Sequence, residues 1–284
     1  MTGALPYALA ALAFYGFGDF IYKRAAGRGL RADHLLMSQA WFFLPLVVAY
    51  AWLTGTLVPR PAALWGSLAG AFVFVGFYNF IKSLATGSVS INAPIFRLNF
   101  VVTAALAIVV LGEQLSVTKL AGLALALAAT WLLLGAHAPD ERTHEDRAAM
   151  LRVLLATLSF GTANFLHTVG LRQGVVPETM LVAQAIVFMP LTNLAVVVVD
   201  RRIAAPKAAW GYGLIMSFVL LGAFVCLLHG VALGQASVVV PIAQMGFIVT
   251  ALLGVLLLGE PLTPRKLLGL VLAAGALVAL ALRE

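Results

Sequence analysis

Ten apolar runs, each about as long as a bilayer's hydrocarbon core is thick, restrict this chain to very few folds. They cover roughly 5–22, 35–53, 62–81, 91–111, 118–136, 150–171, 178–199, 208–228, 237–258 and 266–282. A helix needs about 20 apolar residues to cross some 30 Å of hydrocarbon. Lipid offers backbone N–H and C=O groups no partner outside the helix itself. The alternating strands of about ten residues that a membrane barrel requires are absent. The expected fold class is therefore an all-α integral membrane protein with ten transmembrane helices. Turn and charge signals such as "KRAAGRGLRAD", "TGTLVPRP", "DRRIAAPK" and "LGEPLTPRK" separate the runs.

Composition agrees and excludes other classes. Of 284 residues, 62% are hydrophobic and only 10% charged, with a mean hydropathy of +1.03; a soluble domain of this size needs a far more charged surface. The single cysteine, Cys226, excludes a disulfide framework and a cysteine metal site. A pI near 9.9 does not imply nucleic acid, because the basic residues lie between the apolar runs and form no single patch. There is no GxxxxGK[ST], no HExxH and no GxSxG in a strand–helix setting, so neither an ATP motor nor a hydrolase is expected. No cofactor or metal is expected, and His137 and His144 in "HAPDERTHEDR" read as parts of a solvated loop. The N-terminal segment lacks the basic start of a signal peptide and is expected to remain as the first span.

The chain also repeats itself. "ATGSVSINAPIFRLNFVVTAALAIVVLGEQLSVTKLAG" (85–122) matches "ALGQASVVVPIAQMGFIVTALLGVLLLGEPLTPRKLLG" (232–269) at an offset of 147, through Ser90/Ser237, Pro94/Pro241, Phe100/Phe247, Thr103/Thr250, Gly112–Glu113/Gly259–Glu260 and Lys119/Lys266. An offset of 145 aligns Gly16/Gly161, Phe20/Phe165, Gln39/Gln184 and Pro45/Pro190. The chain thus reads as repeat 1 over 1–136, a polar linker over 137–149 and repeat 2 over 150–284. Five helices is an odd number, so the second unit is expected to enter the bilayer from the opposite side. Such an inverted repeat leads to alternating access, with a solute site near the midplane between the halves.

Two copies of a helix-3/helix-4 hairpin ("SLATGSVSINAPIF", "VALGQASVVVPIA") followed by "LGEQLSVTKLAGLALALAATWLLLGA" and "LGEPLTPRKLLGLVLAAGALVAL" resemble the EamA-type branch of the drug/metabolite transporter superfamily. The resemblance covers nearly the whole chain. It implies a ten-helix secondary transporter of a small polar metabolite, such as an amino acid or amine, in the cell (inner) membrane, acting as an exporter or exchanger. An intramembrane lipid-modifying enzyme or lipid flippase is the alternative.

Polar residues within the spans are the candidate solute-binding or coupling groups. Asp19 near the end of span 1 and Arg97 near the start of span 4 lie at matching depth on one side of the membrane. Alone at a helix centre each costs about 2.5–3.5 kcal/mol, so they are expected to pair. Their repeat mates are the neutral Asn164 and Gln244, read as an amide pair replacing the ionic one. The Asp19–Arg97 pair either acts on solute or ion, or clamps two helices. Gln39 and Gln184 occupy equivalent places in spans 2 and 7. Lys82, with Asn79 a turn earlier, is equivalent to His229, and Tyr22 to His167, which can titrate near neutral pH. Pro94 and Pro241 mark either helix starts or a freed carbonyl beside a cavity. Glu113 and Glu260 read as interfacial turn residues. Spans 1, 3, 4, 6, 8 and 9 are expected to line the cavity. Spans 5 and 10 are expected at the periphery, with glycine and alanine spacing that suits close packing, including a homodimer.

Apart from Arg97 in its span, lysine and arginine outside odd-numbered loops are limited to Arg60, Lys119, Arg172 and Arg283. The positive-inside rule places the odd loops in the cytoplasm and both termini outside, whereas the resemblance implies cytoplasmic termini. A reporter that fluoresces only in the cytoplasm, fused to Glu284, is expected to stay dark; bright cells would reverse the orientation.

Overall fold

A computed structural model describes residues 3–86, 92, 95–134, 144–258 and 263–281. Its helices are α1 (Ala4–Ala26), α2 (Ala32–Leu53), α3 (Leu64–Thr86), α4 (Asn99–Leu111), α5 (Val117–Leu134), α6 (His144–Arg172), α7 (Pro177–Asp200), α8 (Lys207–Leu233), α9 (Ala236–Gln244), α10 (Phe247–Leu258) and α11 (Pro264–Ala281). No strand occurs among the described residues. Eight stretches are long and apolar enough to cross a membrane, and Ile95–Leu111 and Val117–Leu132 are shorter apolar helices. The α9 and α10 helices are two halves of the ninth span, so ten spans result. The linker is shorter than its polarity suggests, because α6 already begins at His144. Pro94, Glu260 and His137 lie outside the described residues.

Helix packing respects the repeat. Exchanging each span of one half for its mate in the other maps every major interface onto another: α1 packs on α8 as α6 packs on α3, and α2 on α8 as α7 on α3. Likewise α1 lies on α9 and α10 as α6 lies on α4, while α2–α7, α4–α9 and α5–α11 are contacts between mates. The same residues make the equivalent contacts. Thr103 Oγ1 donates to Gly161 O at 3.0 Å and Thr250 Oγ1 to Gly16 O at 3.0 Å. A Cβ on Gly16 would lie 2.5 Å from Gly246 O, and one on Gly161 2.6 Å from Asn99 O. Glycine is required there because the backbones touch. These four residues are among those that carry the repeat in the sequence.

The fourth and ninth spans are both broken, at equivalent residues. Helical residues 95–97 give way at Leu98 before α4, and α9 gives way at Met245–Gly246 before α10. Pro241 therefore does not start the ninth span. It lies inside α9, three residues before that helix ends, where its missing N–H weakens the ladder. The start of α9 is held from the other half. Glu113 accepts hydrogen bonds from the backbone N–H groups of Ala236 (3.0 Å) and Ser237 (2.9 Å) and from Arg172 Nη2 (2.8 Å). Glu113 is thus a buried helix cap, 6% exposed, rather than an interfacial turn residue; a carboxylate here satisfies orphan donors and complements the helix dipole.

At the periphery α5 and α11 bury their small residues against each other. Gly122 meets Leu280, and Ala126, Ala129, Ala273 and Ala276 are fully buried. The expected peripheral placement is what the structure has.

The close crossings give a stability prediction. Gly161→Ala is expected to destabilise by about 1–3 kcal/mol through overpacking. Gly211→Ala, where a Cβ meets nothing within 4 Å, should hold or raise stability, alanine being the better helix former. Thermal unfolding in detergent decides it; equal melting temperatures would mean the crossing is not tight.

Candidate functional site

The first element of the site lies where the halves meet. A cavity of about 10 Å³ is lined by three repeat-related pairs, Gln39/Gln184, Phe43/Phe188 and Phe77/Phe224, with Val73 and Ala185. Equal contributions from both halves place it on the axis relating them. It has room for about one water molecule at most, so the helices are closed around it. The walls are α2, α3, α7 and α8, so of the spans expected to line a solute cavity, 3 and 8 border this void. The reason is local packing: Ser217 Oγ in α8 donates to Gln39 O at 3.0 Å, while its mate Gly70 in α3 lies against Gln184 O, where a Cβ would come within 2.4 Å. These contacts hold α2 and α7 against the axis and bring both glutamines to the cavity.

Around the cavity the two halves differ in chemistry. In the first, the Tyr22 hydroxyl donates to Gln39 Oε1. In the second, His167 takes the place of Tyr22. It is 1% exposed and lies beside Gln184, as Tyr22 lies beside Gln39, but neither of its ring nitrogens nor Gln184 Oε1 makes a hydrogen bond of full geometry. Buried polar atoms without a protein partner occur in both halves, Tyr15 Oη and Asn99 Oδ1 in the first and more of them in the second.

Asp19 and Arg97 come together as an ion pair. Arg97 also donates from Nη1 to Gln244 Oε1 at 3.4 Å, so it ties α1 to the end of α9 beside both span breaks. The expected Asn164–Gln244 contact does not form. Gln244 turns to Arg97, and the amide nitrogens of Asn164 and Gln244 remain buried without protein partners. A guanidinium with several donors outcompetes a neutral amide for the one carbonyl.

The remaining candidates lie further out. Asn79 Nδ2 donates to Val75 O at 2.9 Å within its own helix. The Lys82 ammonium sits 5.7 Å from the Tyr78 ring centroid. Across the axis from Lys82, His229 Nε2 lies 2.8 Å from Glu178 Oε1, with Tyr7 stacked on the imidazole. Sequence reasoning missed Glu178 and the four cavity phenylalanines. Phe43/Phe188 at an offset of 145 and Phe77/Phe224 at 147 would have revealed the latter.

The family profile of the EamA-like transporter family matches residues 2–135 and again 147–282. The chain belongs to the EamA-like transporter family. It is thus a transporter of the drug/metabolite superfamily type, and the two matches coincide with the two halves described above. A solved crystal structure, 15% identical, superposes on this EamA-like chain with a TM-score of 0.85 over 99% of this chain and 97% of its own; that likeness concerns the fold. No curated protein matches.

The difference between the glutamines is testable. Gln39→Leu removes a hydrogen bond from Tyr22 and should cost about 1 kcal/mol. Gln184→Leu removes an unpartnered oxygen and should leave the melting temperature unchanged or higher, while transport falls. Equal destabilisation by both would make Gln184 a structural residue.

Proposed function

We propose that this EamA-like chain is a secondary transporter that moves a small polar metabolite, an amino acid or amine, across the cell (inner) membrane by alternating access, as an exporter or exchanger. Its halves are inverted with respect to each other, since five spans bring the chain back on the opposite side. The cavity on the axis carries this reading. A site shared equally by two inverted halves can face either side when the halves trade conformations. Spans broken at Leu98 and Met245 support it, because carriers place discontinuous helices beside their solutes.

The chemistry of the walls supports the solute class. Phenylalanines on the axis suit a compact carbon skeleton or a cation over a ring. Unpartnered atoms of His167, Gln184, Asn164 and Gln244 gain most from a polar guest, since a buried polar group without a hydrogen bond is costly. Asp19 and Arg97 offer one group of each charge, fitting a zwitterion or an ion exchanged against it. A homodimer through α5 and α11 would use their outer faces, where Trp131 and Val271 are exposed.

Asp19→Asn combined with Arg97→Gln reproduces the neutral residues of the second half, so the protein should insert and fold. Transport in proteoliposomes, against a panel of amino acids and amines, is expected to fall about ten- to hundredfold, the equivalent of charge-assisted hydrogen bonds worth about 1.5–3 kcal/mol. Full activity would reduce the pair to a clamp. A response to long-chain lipids alone would favour the flippase instead.

A further inference from the structure

The Glu178–His229 contact has a counterpart that the sequence provides and this conformation leaves unmade. Glu178 is the second residue of α7 and His229 lies four residues before the end of α8. At the repeat offsets their mates are Asp33, the second residue of α2, and Lys82, four residues before the end of α3. An acid therefore begins spans 2 and 7, and a base ends spans 3 and 8, in the same register on opposite sides of the membrane. In the second half the acid and base meet, and the Glu178 side chain is 4% exposed. In the first half Asp33 is held by Arg31, whose Nε donates at 3.1 Å, and the Lys82 ammonium lies over the Tyr78 ring.

The surroundings differ in the same sense. Beside Glu178–His229, Trp65 Nε1 donates to Gln173 Oε1 at 3.0 Å and pins the start of α3 to the end of α6. The mates of these two residues are Tyr212 and Arg28. They flank a groove of about 500 Å³ between the end of α1 and the start of α8, with the guanidinium 5.7 Å from the ring centroid. Both sides are tied, but by different contacts: the first half's Arg31 and His34 reach Asp200 and join the start of α2 to the end of α7 beside that groove.

We infer that Glu178–His229 and Asp33–Lys82 are alternating locks, each closing one side of the bundle, and that forming one excludes the other. The inference rests on the alternating-access reading. Exchanging the conformations of two equivalent halves exchanges the contacts of the two sides: it carries Asp33 from Arg31 onto Lys82 as Glu178 is carried off His229, and it releases Arg31 and His34 from Asp200. A lock made only in one state biases the equilibrium by its own differential stability. Strengthening or removing either pair should therefore shift the population without a solute being present.

The test is thiol cross-linking of purified protein in liposomes with Cys226→Ser as background. Asp33→Cys/Lys82→Cys should cross-link weakly with a short bifunctional thiol reagent. Adding Glu178→Gln should raise the yield roughly tenfold, as expected when a minor state of a few per cent becomes comparable to the major one. Adding His229→Lys instead, which copies the base of the first half, should keep the yield low. Unchanged cross-linking in both backgrounds, in protein whose gel-filtration profile is intact, overturns the locks. Solute transport by the Cys226→Ser parent reports separately on the carrier reading: transport without exchange of the cross-links sinks the locks alone, and absent transport sinks the carrier.

Discussion

The two crossings between the halves hold the rest of the structure in place. Each is a glycine in the first helix of one half lying against the broken span of the other, with a threonine hydroxyl on the glycine carbonyl: Gly16 with Thr250, and Gly161 with Thr103. In a bilayer apolar side chains gain little by leaving lipid for one another, so backbone proximity and interhelical hydrogen bonds must decide which faces meet. Once α1 and α6 are seated this way, Asp19 is brought to Arg97 and Gln244. Satisfying a charge inside the span then depends on packing set by residues without charge.

The halves share a scaffold but not a chemistry. In the first half Tyr22 donates to Gln39 and Asp19 pairs with Arg97, which also reaches Gln244 of the second. His167, Asn164 and Gln244 leave the second with buried atoms that have no protein partner. Equal halves would bind any solute symmetrically, so a site on the axis would not distinguish its ends. On the proposed carrier reading, dissimilar halves would orient a solute, and partly satisfied polar groups are where a guest gains most. With only about 10 Å³ between them, α2, α3, α7 and α8 would have to separate for the proposed solute to enter. The glycine contacts of Gly70 and the hydroxyl of Ser217 lie at the interfaces that such a motion has to slide.

Much of this was legible in the sequence because membrane folding has few solutions. The apolar runs mark the spans, and the offsets of 145 and 147 pick out Gly16, Gly161, Thr103 and Thr250, residues that turn out to touch. Asp19 and Arg97 could be matched by depth alone. What escaped has a common cause: contacts between the halves leave no local pattern. Glu113 follows a helix-ending glycine whose φ is +67°, so locally it looks like a turn residue, yet its carboxylate caps a helix more than a hundred residues away. The cavity phenylalanines were hidden among many aromatic residues expected to face lipid or core. Pro241 offered two local readings, and only its neighbour Gly246, pressed against Gly16, shows why the span breaks where it does.

Alternating exposure of the shared cavity is the central claim, and paired spin-label distances test it most directly. Labels at Arg28 and Gly211 report on one side, and labels at the equivalent Gln173 and Leu64 on the other. In liposomes each pair should show a short and a long distance, and their populations should exchange in opposite directions as solute or pH is varied. Distances that widen together, or that stay single and fixed on both sides under every condition, would contradict a carrier whose halves trade places.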